Sequence, residues 1–319
     1  MLTLPMAGYL KQCHPGTRIT FIGRTYTRPI LGHCDHVDNI ITLDELDHEG
    51  EAAAVARWKA LQADAIVHVF PKRRVANWAK RAGVPLRIGT SHRWWHWTTC
   101  NARVDLGRRR SALHEAQLNI RLLAPLGIDR MPGLSELAGL YGLQPPAPDG
   151  TVGALLRPER THVVLHPGSR GSAVEWGLDR YAELIRSLDP ERYQVLITGT
   201  SSEADDYRRE LPVDLPHVTD TGGKLTLERL LSLIAASQVL VAASTGPLHI
   251  AAAVGIRAIG LYVPRRPIHP GRWAPLGRDA HALVADPDCP QCATGRPCDC
   301  IRRIRPEQVR RLIEAVAPH

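Results

Sequence analysis

Three turns in the second half of the 319-residue sequence contain residue types that could bind an anionic ligand. Their sequences are HPGSRGS at 166–172, TGTSSE at 198–203 and STGPLH at 244–249. Each combines glycine with hydroxyl side chains, so backbone N–H groups and Oγ atoms can both donate to a phosphate. The first is neither a Walker loop nor a GxGxxG fingerprint, and a plain loop is its structural alternative.

The turn at 244–249 is the most informative of the three. Thr245 and Gly246 would stand at the N-terminus of a helix of small residues, where N–H groups favour anions. Pro247 suits the first helical turn. His249, one turn deeper on the same face, could hydrogen-bond a phosphate or a ribose. The structural alternative is an ordinary N-cap followed by a core histidine.

An arginine and a glutamate are the candidate ligand contacts of the other two turns. Ser169 and Arg170, between two glycines, could wrap a diphosphate. Glu203 could accept hydrogen bonds from both hydroxyls of a ribose.

Strands and helices alternate in the second half of the chain and would bring these turns together. Apolar runs predict strands at 161–165, 193–198, 239–243 and 258–263. Helical spacing predicts helices at 178–188, 203–210, 225–236 (with Thr226 as N-cap), 246–254 and 306–316. Continuous apolar strands alternating with helices indicate a parallel sheet covered on both faces, whose carboxyl edge would carry all three turns.

Strands and helices also alternate in the first half of the chain, although the pattern is less clear. We predict strands at 18–22, 39–43, 65–70 and 86–88, and helices at 4–13, 51–61, 74–82 and 112–126. The Pro- and Gly-rich segment 127–160 is the candidate linker. The expected fold is therefore α/β, with two Rossmann-like domains facing a cleft, at 1–150 and 151–319. The first domain opens on a helix, without the strand that normally begins such a domain.

The charge and the apolar pattern of the sequence indicate the kind of partner and the location of the protein. The 40 Lys and Arg residues against 32 Asp and Glu give a net charge of +8, which favours an anionic partner. No motif that enters a nucleic-acid groove is present, so nucleic acid is not expected. No apolar run is long enough to cross a membrane and no signal peptide is recognisable, which indicates a soluble cytoplasmic protein.

Basic and aromatic residues cluster in the first half and could face an anionic, lipid-linked glycan. The basic candidates are Lys72, Arg73, Arg74, Arg93 and the run 108–110. Trp94, Trp95 and Trp97 could stack on sugars or rest at a membrane surface. A solvated charged face and domain packing are the structural alternatives.

Four of the seven cysteines are grouped near the C-terminus as Cys289-x2-Cys292-x5-Cys298-x-Cys300. The pattern is not a secreted disulfide framework. A structural metal site, a reversible disulfide and free thiols are all open at this point.

Several motifs together resemble the heptosyltransferase family, glycosyltransferase family 9. They are FPKRR at 70–74, AGVP at 82–85 followed by RIG at 87–89, His114-Glu115 before Leu118-Asn119, HPGS at 166–169, Trp176 before Tyr181, and STGPLHIAAA at 244–253. The last motif is the most specific. The resemblance covers most of the chain and implies a GT-B fold. It further implies a nucleotide-sugar donor such as ADP-heptose, a lipopolysaccharide core acceptor, and inverting transfer without a metal or cofactor.

The resemblance also implies roles for individual residues. Thr245, Gly246 and His249, with Ser244 beside them, would hold the donor diphosphate. Ser169 and Arg170 would assist from the facing loop, and Glu203 would bind the nucleoside. The acceptor would lie on the first domain, at the cytoplasmic side of the inner membrane.

The sequence departs from the family pattern at three points. Val174 stands where relatives carry a lysine, and Ser244 stands where many carry aspartate. The family's first strand, which ends in Gly-Asp and supplies the base, is not present, so no catalytic residue is assigned. We therefore expect a shortened chain that binds donor but transfers sugar poorly. The alternatives are a non-catalytic nucleotide-sugar-binding relative and a different GT-B enzyme, such as an epimerase.

Overall fold

The computed structural model describes residues 1–108 and 111–316. The chain folds as two compact units, Leu2–Gly142 and the residues from Leu143 onward. The division falls inside the segment 127–160, whose composition marks it as a linker. No helix in the described ranges is long and apolar enough to cross a bilayer.

The N-terminal unit contains five short strands and eight α-helices within its described residues. The strands are β1 (Thr20–Gly23), β2 (Asn39–Thr42), β3 (Ala65–Val67), β4 (Leu86–Thr90) and β5 (Ala102–Val104). The helices are α1 (Leu4–Cys13), α2 (Arg28–Gly32), α3 (Leu43–Glu49), α4 (Glu51–Ala60), α5 (Arg73–Arg81), α6 (His96–Thr99), α7 (Glu115–Arg121) and α8 (Leu134–Ala138).

These five strands form two separate parallel sheets. β1 pairs with β2, from Thr20 opposite Asn39 to Gly23 opposite Thr42. The second sheet has the order β3-β4-β5. Within the described chain, β1 and β3 each have a ladder partner on one side only, and every residue of both strands is only half-buried.

The predicted long helix at 112–126 is wrong. Helix α7 covers only Glu115–Arg121, and a separate 3₁₀ turn covers Ala124–Leu126. The helix begins late because His114 caps it: the Ala116 N–H donates to the His114 ring (3.2 Å), and Gln117 accepts from the His114 N–H (3.2 Å). Pro125 cannot continue an α-helix, and its ring forces the change to the 3₁₀ turn.

The C-terminal unit contains six strands and eight α-helices within its described residues. The strands are β6 (Thr161–His166), β7 (Tyr193–Ile197), β8 (Val218–Asp220), β9 (Val239–Ala243), β10 (Arg257–Tyr262) and β11 (Ala280–Val284). The helices are α9 (Gly150–Gly153), α10 (Leu178–Ser187), α11 (Ser201–Tyr207), α12 (Leu227–Ala235), α13 (Gly246–Val254), α14 (Pro270–Trp273), α15 (Pro290–Ala293) and α16 (Pro306–Glu314).

All six strands of this unit join one parallel sheet with the order β11-β10-β9-β6-β7-β8. Every residue of β7 and β9 is buried, as expected for strands covered on both faces. The strand order reverses between β6 and β9, where His166 lies opposite Ala242. In doubly wound sheets of this order, ligands bind at that reversal, outside the carboxyl ends of the strands.

Candidate functional site

Helix α13 begins at this reversal, directly after β9. Thr245 is its N-cap residue and is only 7% exposed, yet its side chain makes no capping bond. The Thr245 Oγ1 atom has no hydrogen-bond partner in the part of the chain that the structure describes. A buried hydroxyl without a partner at a helix N-terminus is a donor placed for an anion.

The neighbours of Thr245 complete this end of α13. His249 is buried on the next turn, and its backbone N–H lies 3.4 Å from the Thr245 carbonyl oxygen. Ser244 is half-buried beside Tyr262. Burial raises the pKa of Tyr262, which keeps the phenol protonated, and its hydroxyl donates to the Trp273 carbonyl oxygen at 2.5 Å.

The turn after β6 is closed by a carboxylate that the sequence analysis did not single out. The Ser169 N–H donates to Oε1 of Glu175 (2.7 Å), and the Ser169 hydroxyl lies 2.8 Å from the same oxygen. Both donors of Ser169 are therefore satisfied within the turn. The signal available in the sequence was one acidic residue, six positions after Ser169, in an otherwise uncharged stretch after Arg170.

Arg170 occupies an unusual backbone conformation on the same turn. Its φ is 51°, followed by Gly171 at 76°, and its side chain is exposed. A left-handed conformation is unfavourable for a residue with a Cβ atom and persists where surrounding structure imposes it. The arginine is thus held at the tip of the turn with its cation toward solvent.

The turn after β7 contacts the turn after β6. Glu203 forms a capping box with Thr200, because its Oε2 accepts from the Thr200 N–H (2.7 Å) and hydroxyl (2.8 Å). A Cβ atom on Gly168 would lie 2.5 Å from Oε1 of Glu203, so only glycine fits there without displacement. His166 Nδ1 lies 3.0 Å from the Thr198 hydroxyl.

The structure therefore brings the three predicted turns to one edge of one sheet. The turns after β6 and β7 touch, and a small cavity lined by Val174, Ser244 and Tyr262 lies between the turn after β6 and the end of β9. Burial lowers the pKa of His166, so its imidazole is neutral at pH 7. The edge thus offers hydroxyl and backbone donors, one exposed arginine and two carboxylates.

The basic candidates of the N-terminal unit divide into two groups. The Lys72 ammonium lies 5.0 Å from the Phe70 ring, and the Arg73 guanidinium lies 4.7 Å from the Trp94 ring. These four side chains are exposed, with Phe70 at 79% and Trp94 at 63%. They form one cationic and aromatic surface, which we call the N-terminal patch.

The remaining basic candidates have other contacts. Arg93 is exposed and lies over the Trp95 ring at 5.5 Å. Arg74 forms an ion pair with Asp47 at 2.5 Å. Arg108 pairs with Glu115 and donates to the Val69 carbonyl oxygen at 3.1 Å, which is a structural role rather than a solvent-facing one. The other two residues of that run, Arg109 and Arg110, lie outside the described residues.

The four grouped cysteines meet in the C-terminal unit. Their sulfur atoms all lie within 4.8 Å of one another, and Cys289, Cys292 and Cys300 are buried. The backbone N–H of Cys292 points to the Cys289 sulfur and lowers the pKa of that thiol to about 7. Among the described residues, these four cysteines are the one group of three or more His, Cys, Asp or Glu side chains placed closely enough to hold a metal ion.

The C-terminal unit is a doubly wound parallel sheet, and a helix N-terminus suited to binding an anion lies where its strand order reverses. These two features are typical of nucleotide-binding α/β domains. Within that class, residues 143–299 match the model of glycosyltransferase family 9 (heptosyltransferase). Residues 143–299 therefore form a glycosyltransferase family 9 (heptosyltransferase) domain.

The chain also resembles curated relatives and solved structures over most of its length. The chain is 22% identical to a lipopolysaccharide core heptosyltransferase of Haemophilus influenzae over 92% of this chain and 83% of the relative. The structure of Escherichia coli ADP-heptose lipopolysaccharide heptosyltransferase II superposes with a TM-score of 0.77 at 21% identity, covering 98% and 93% of the two chains. The structure of a family 9 glycosyltransferase from Veillonella parvula superposes with a TM-score of 0.79 at 18% identity, covering 98% of this chain and 92% of that chain. These likenesses show that the fold is GT-B.

Proposed function

We propose that this protein transfers a heptose-like sugar from a nucleotide diphosphate donor, ADP-heptose, to a lipopolysaccharide core acceptor, with inversion and without a metal ion at the reaction centre. The observation that carries the proposal is the buried Thr245 hydroxyl, which lacks a partner in the described chain and lies at the N-terminus of a nine-residue helix at the sheet reversal. The Thr245 hydroxyl and the backbone N–H groups at the N-terminus of α13 are donors that suit the diphosphate common to nucleotide sugars.

The departing diphosphate would gain stabilisation from this edge of the sheet. The N-terminus of α13 contributes a partial positive charge of about half an elementary charge, and Arg170 contributes a full one. Ser244, Gly246 and His249 would complete the contacts to the phosphates. Glu203 would bind the nucleoside, since its carboxylate lies beside Gly168 at the same edge.

Ser169 would join the phosphate contacts only after a local rearrangement. Its two donors now point to Glu175, and a diphosphate would have to replace that carboxylate. Like-charge repulsion between Glu175 and the phosphates favours that displacement.

The N-terminal patch supports an anionic, lipid-linked acceptor. Lys72 and Arg73 offer charges to phosphates, and the exposed rings beside them suit an interfacial position. We propose peripheral contact with the cytoplasmic face of the inner membrane through this patch, with Arg93 contributing further charge. Arg74 would be less available, because Asp47 pairs with it.

Two described carboxylates near β2, Asp38 and Asp44, do not suit the role of catalytic base. Asp38 precedes the amino end of β2 and pairs with Lys11 at 2.8 Å. Asp44 follows the carboxyl end of β2, but hydrogen bonds from Thr25 lower its pKa to about 2. A carboxylate with that pKa is a weak base at neutral pH. The catalytic base therefore stays unassigned.

The test is a transfer assay with mass-resolved products. The protein is incubated with a panel of ADP-, UDP- and GDP-sugars and a lipopolysaccharide core acceptor, and both donor binding and glycosylated acceptor are measured. Transfer of a heptose from the ADP-linked donor supports the proposal. Donor binding without product would indicate a nucleotide-sugar-binding relative, and no binding of any nucleotide sugar would refute the donor site.

A further inference from the structure

The four cysteines of the C-terminal unit form a closed group of sulfur atoms. The Cys289 and Cys298 sulfurs lie 3.5 Å apart, and those of Cys292 and Cys300 lie 3.6 Å apart. All six pairs lie within 4.8 Å. A disulfide bond measures about 2.05 Å, so neither close pair is bonded.

The same distances fit a tetrahedral metal site. With metal–sulfur bonds of about 2.3 Å, the sulfurs of a tetrahedron stand roughly 3.8 Å apart. The two close sulfur–sulfur distances, 3.5 and 3.6 Å, are slightly shorter than this value, and the upper limit of 4.8 Å for all pairs is longer. A small contraction of the longer distances is all that an ion at the centre requires.

The surrounding backbone is arranged as in a ligand loop rather than a chance cluster. The Cys300 N–H donates to the Cys298 sulfur at 3.3 Å, a contact that stabilises a thiolate. Between Cys292 and Cys298, the chain reverses at Gly295, whose φ of 76° suits glycine. The Arg296 N–H donates to the Gln291 carbonyl oxygen across this turn.

We propose that Cys289, Cys292, Cys298 and Cys300 bind one zinc ion as a structural site. Four thiolates are soft ligands, which select zinc over magnesium or calcium. Because all four positions would be filled by protein sulfur, no position is left for substrate, and the ion takes no part in sugar transfer.

The bound ion would fix the segment that supports the turn after β6. Ile304, four residues after Cys300, accepts the indole N–H of Trp176 at 2.9 Å. Arg302 pairs with Asp179, at the start of α10, at 2.7 Å. Cys289, Cys292 and Cys300 also belong to the main apolar core of the unit. Zinc would therefore brace one end of this core.

The experiment measures metal content in the untagged, full-length protein after gel filtration in EDTA. We expect about one zinc per chain by elemental mass spectrometry. The double variant Cys292→Ser/Cys300→Ser should lose it. The matched control is Cys34→Ala, a buried cysteine outside the group, which should keep a full complement.

A second measurement covers the case in which the double variant does not fold. Wild-type protein produced with cobalt should show the intense visible absorption of tetrahedral thiolate-bound Co²⁺, and zinc should displace it. Substoichiometric metal with four reactive thiols, or two disulfides found by mass spectrometry, would overturn the site. Stoichiometric iron in place of zinc would overturn the metal assignment. None of these readouts depends on sugar transfer.

Discussion

The indole Nε1 of Trp176 donates a 2.9 Å hydrogen bond to the carbonyl oxygen of Ile304, 128 residues further along the chain. Trp176 is fully buried and meets the Tyr181 ring edge-on, with 5.0 Å between ring centroids. The bond joins the end of the turn after β6 to the segment that carries the cysteines. Two sequence-distant parts of the C-terminal unit thus depend on one side chain.

Trp176→Phe should lower the free energy of unfolding of the C-terminal unit. The substitution leaves the buried Ile304 carbonyl without its donor and opens a cavity, which together cost about 2–4 kcal/mol. Urea unfolding followed by circular dichroism measures the change. Trp94→Phe, at a 63% exposed position, should change stability by less than about 0.5 kcal/mol. Equal effects of the two variants would contradict the structural role of Trp176.

Gly168→Ala should weaken donor binding. The new methyl group would lie 2.5 Å from Oε1 of Glu203, so the Glu203 side chain must shift and strain its hydrogen bonds to Thr200, at a cost of about 1–3 kcal/mol. Calorimetric titration with ADP should show a loss of affinity. Gly153→Ala is the matched control, because no atom lies within 4 Å of its Cβ position. If both variants bind ADP equally well, the contact between these turns does not shape the site.

The N-terminal patch predicts binding to anionic vesicles. Lys72→Gln/Arg73→Gln should weaken sedimentation with phosphatidylglycerol vesicles by about 1 kcal/mol per charge, and the difference should shrink in high salt. Arg186→Gln is the control, because it removes one exposed positive charge from the C-terminal unit, outside the patch. A loss as large in the control as in either single substitution of the patch would contradict the proposed surface.

The buried His68 predicts acid sensitivity of the N-terminal unit. Burial and the neighbouring His96 lower the pKa of His68 to about 4, against about 6.5 in the unfolded chain. The unfolded state therefore binds more protons between these values. The free energy of unfolding should fall as pH drops from 6.5 to 4, by about 3 kcal/mol from this group, and the contribution should level off below pH 4.

Urea unfolding of wild-type protein and His68→Gln across that pH range separates this contribution from others. The variant should lose about 3 kcal/mol less than wild type between pH 7 and pH 4. His48→Gln, at an exposed position, should keep the wild-type pH dependence. Parallel curves for wild type and His68→Gln would show that His68 is not the group responsible.

The sequence predicted the elements whose apolar pattern is long and uninterrupted. Strand β9 and helix α13 have the predicted bounds, and Thr226 caps α12, accepting from the Arg229 N–H at 3.3 Å. Strands β5, β8 and β11 were missed. They are three to five residues long and lie at sheet edges, where half-exposure removes the continuous apolar signal.

The limits of the site prediction have a similar physical origin. The three turns could be placed because each follows a recognisable strand. Their internal hydrogen bonds could not be predicted, since the pairing of Ser169 with Glu175 depends on loop geometry. For Glu203, the sequence did contain the answer: Thr200-x-x-Glu203 is a capping-box pattern, and one carboxylate oxygen is used in that way.

The most direct test of the account is ADP binding to Thr245→Val/His249→Ala, measured by calorimetry. If these two residues hold the donor diphosphate, affinity should fall by about 2–4 kcal/mol, because each charge-assisted bond contributes about 1.5–3. Thr42→Val is the matched control, since its buried hydroxyl also lacks a partner in the described chain but lies in the N-terminal unit. It should bind ADP as wild type does. Wild-type affinity in the double variant would contradict the placement of the donor at the N-terminus of α13.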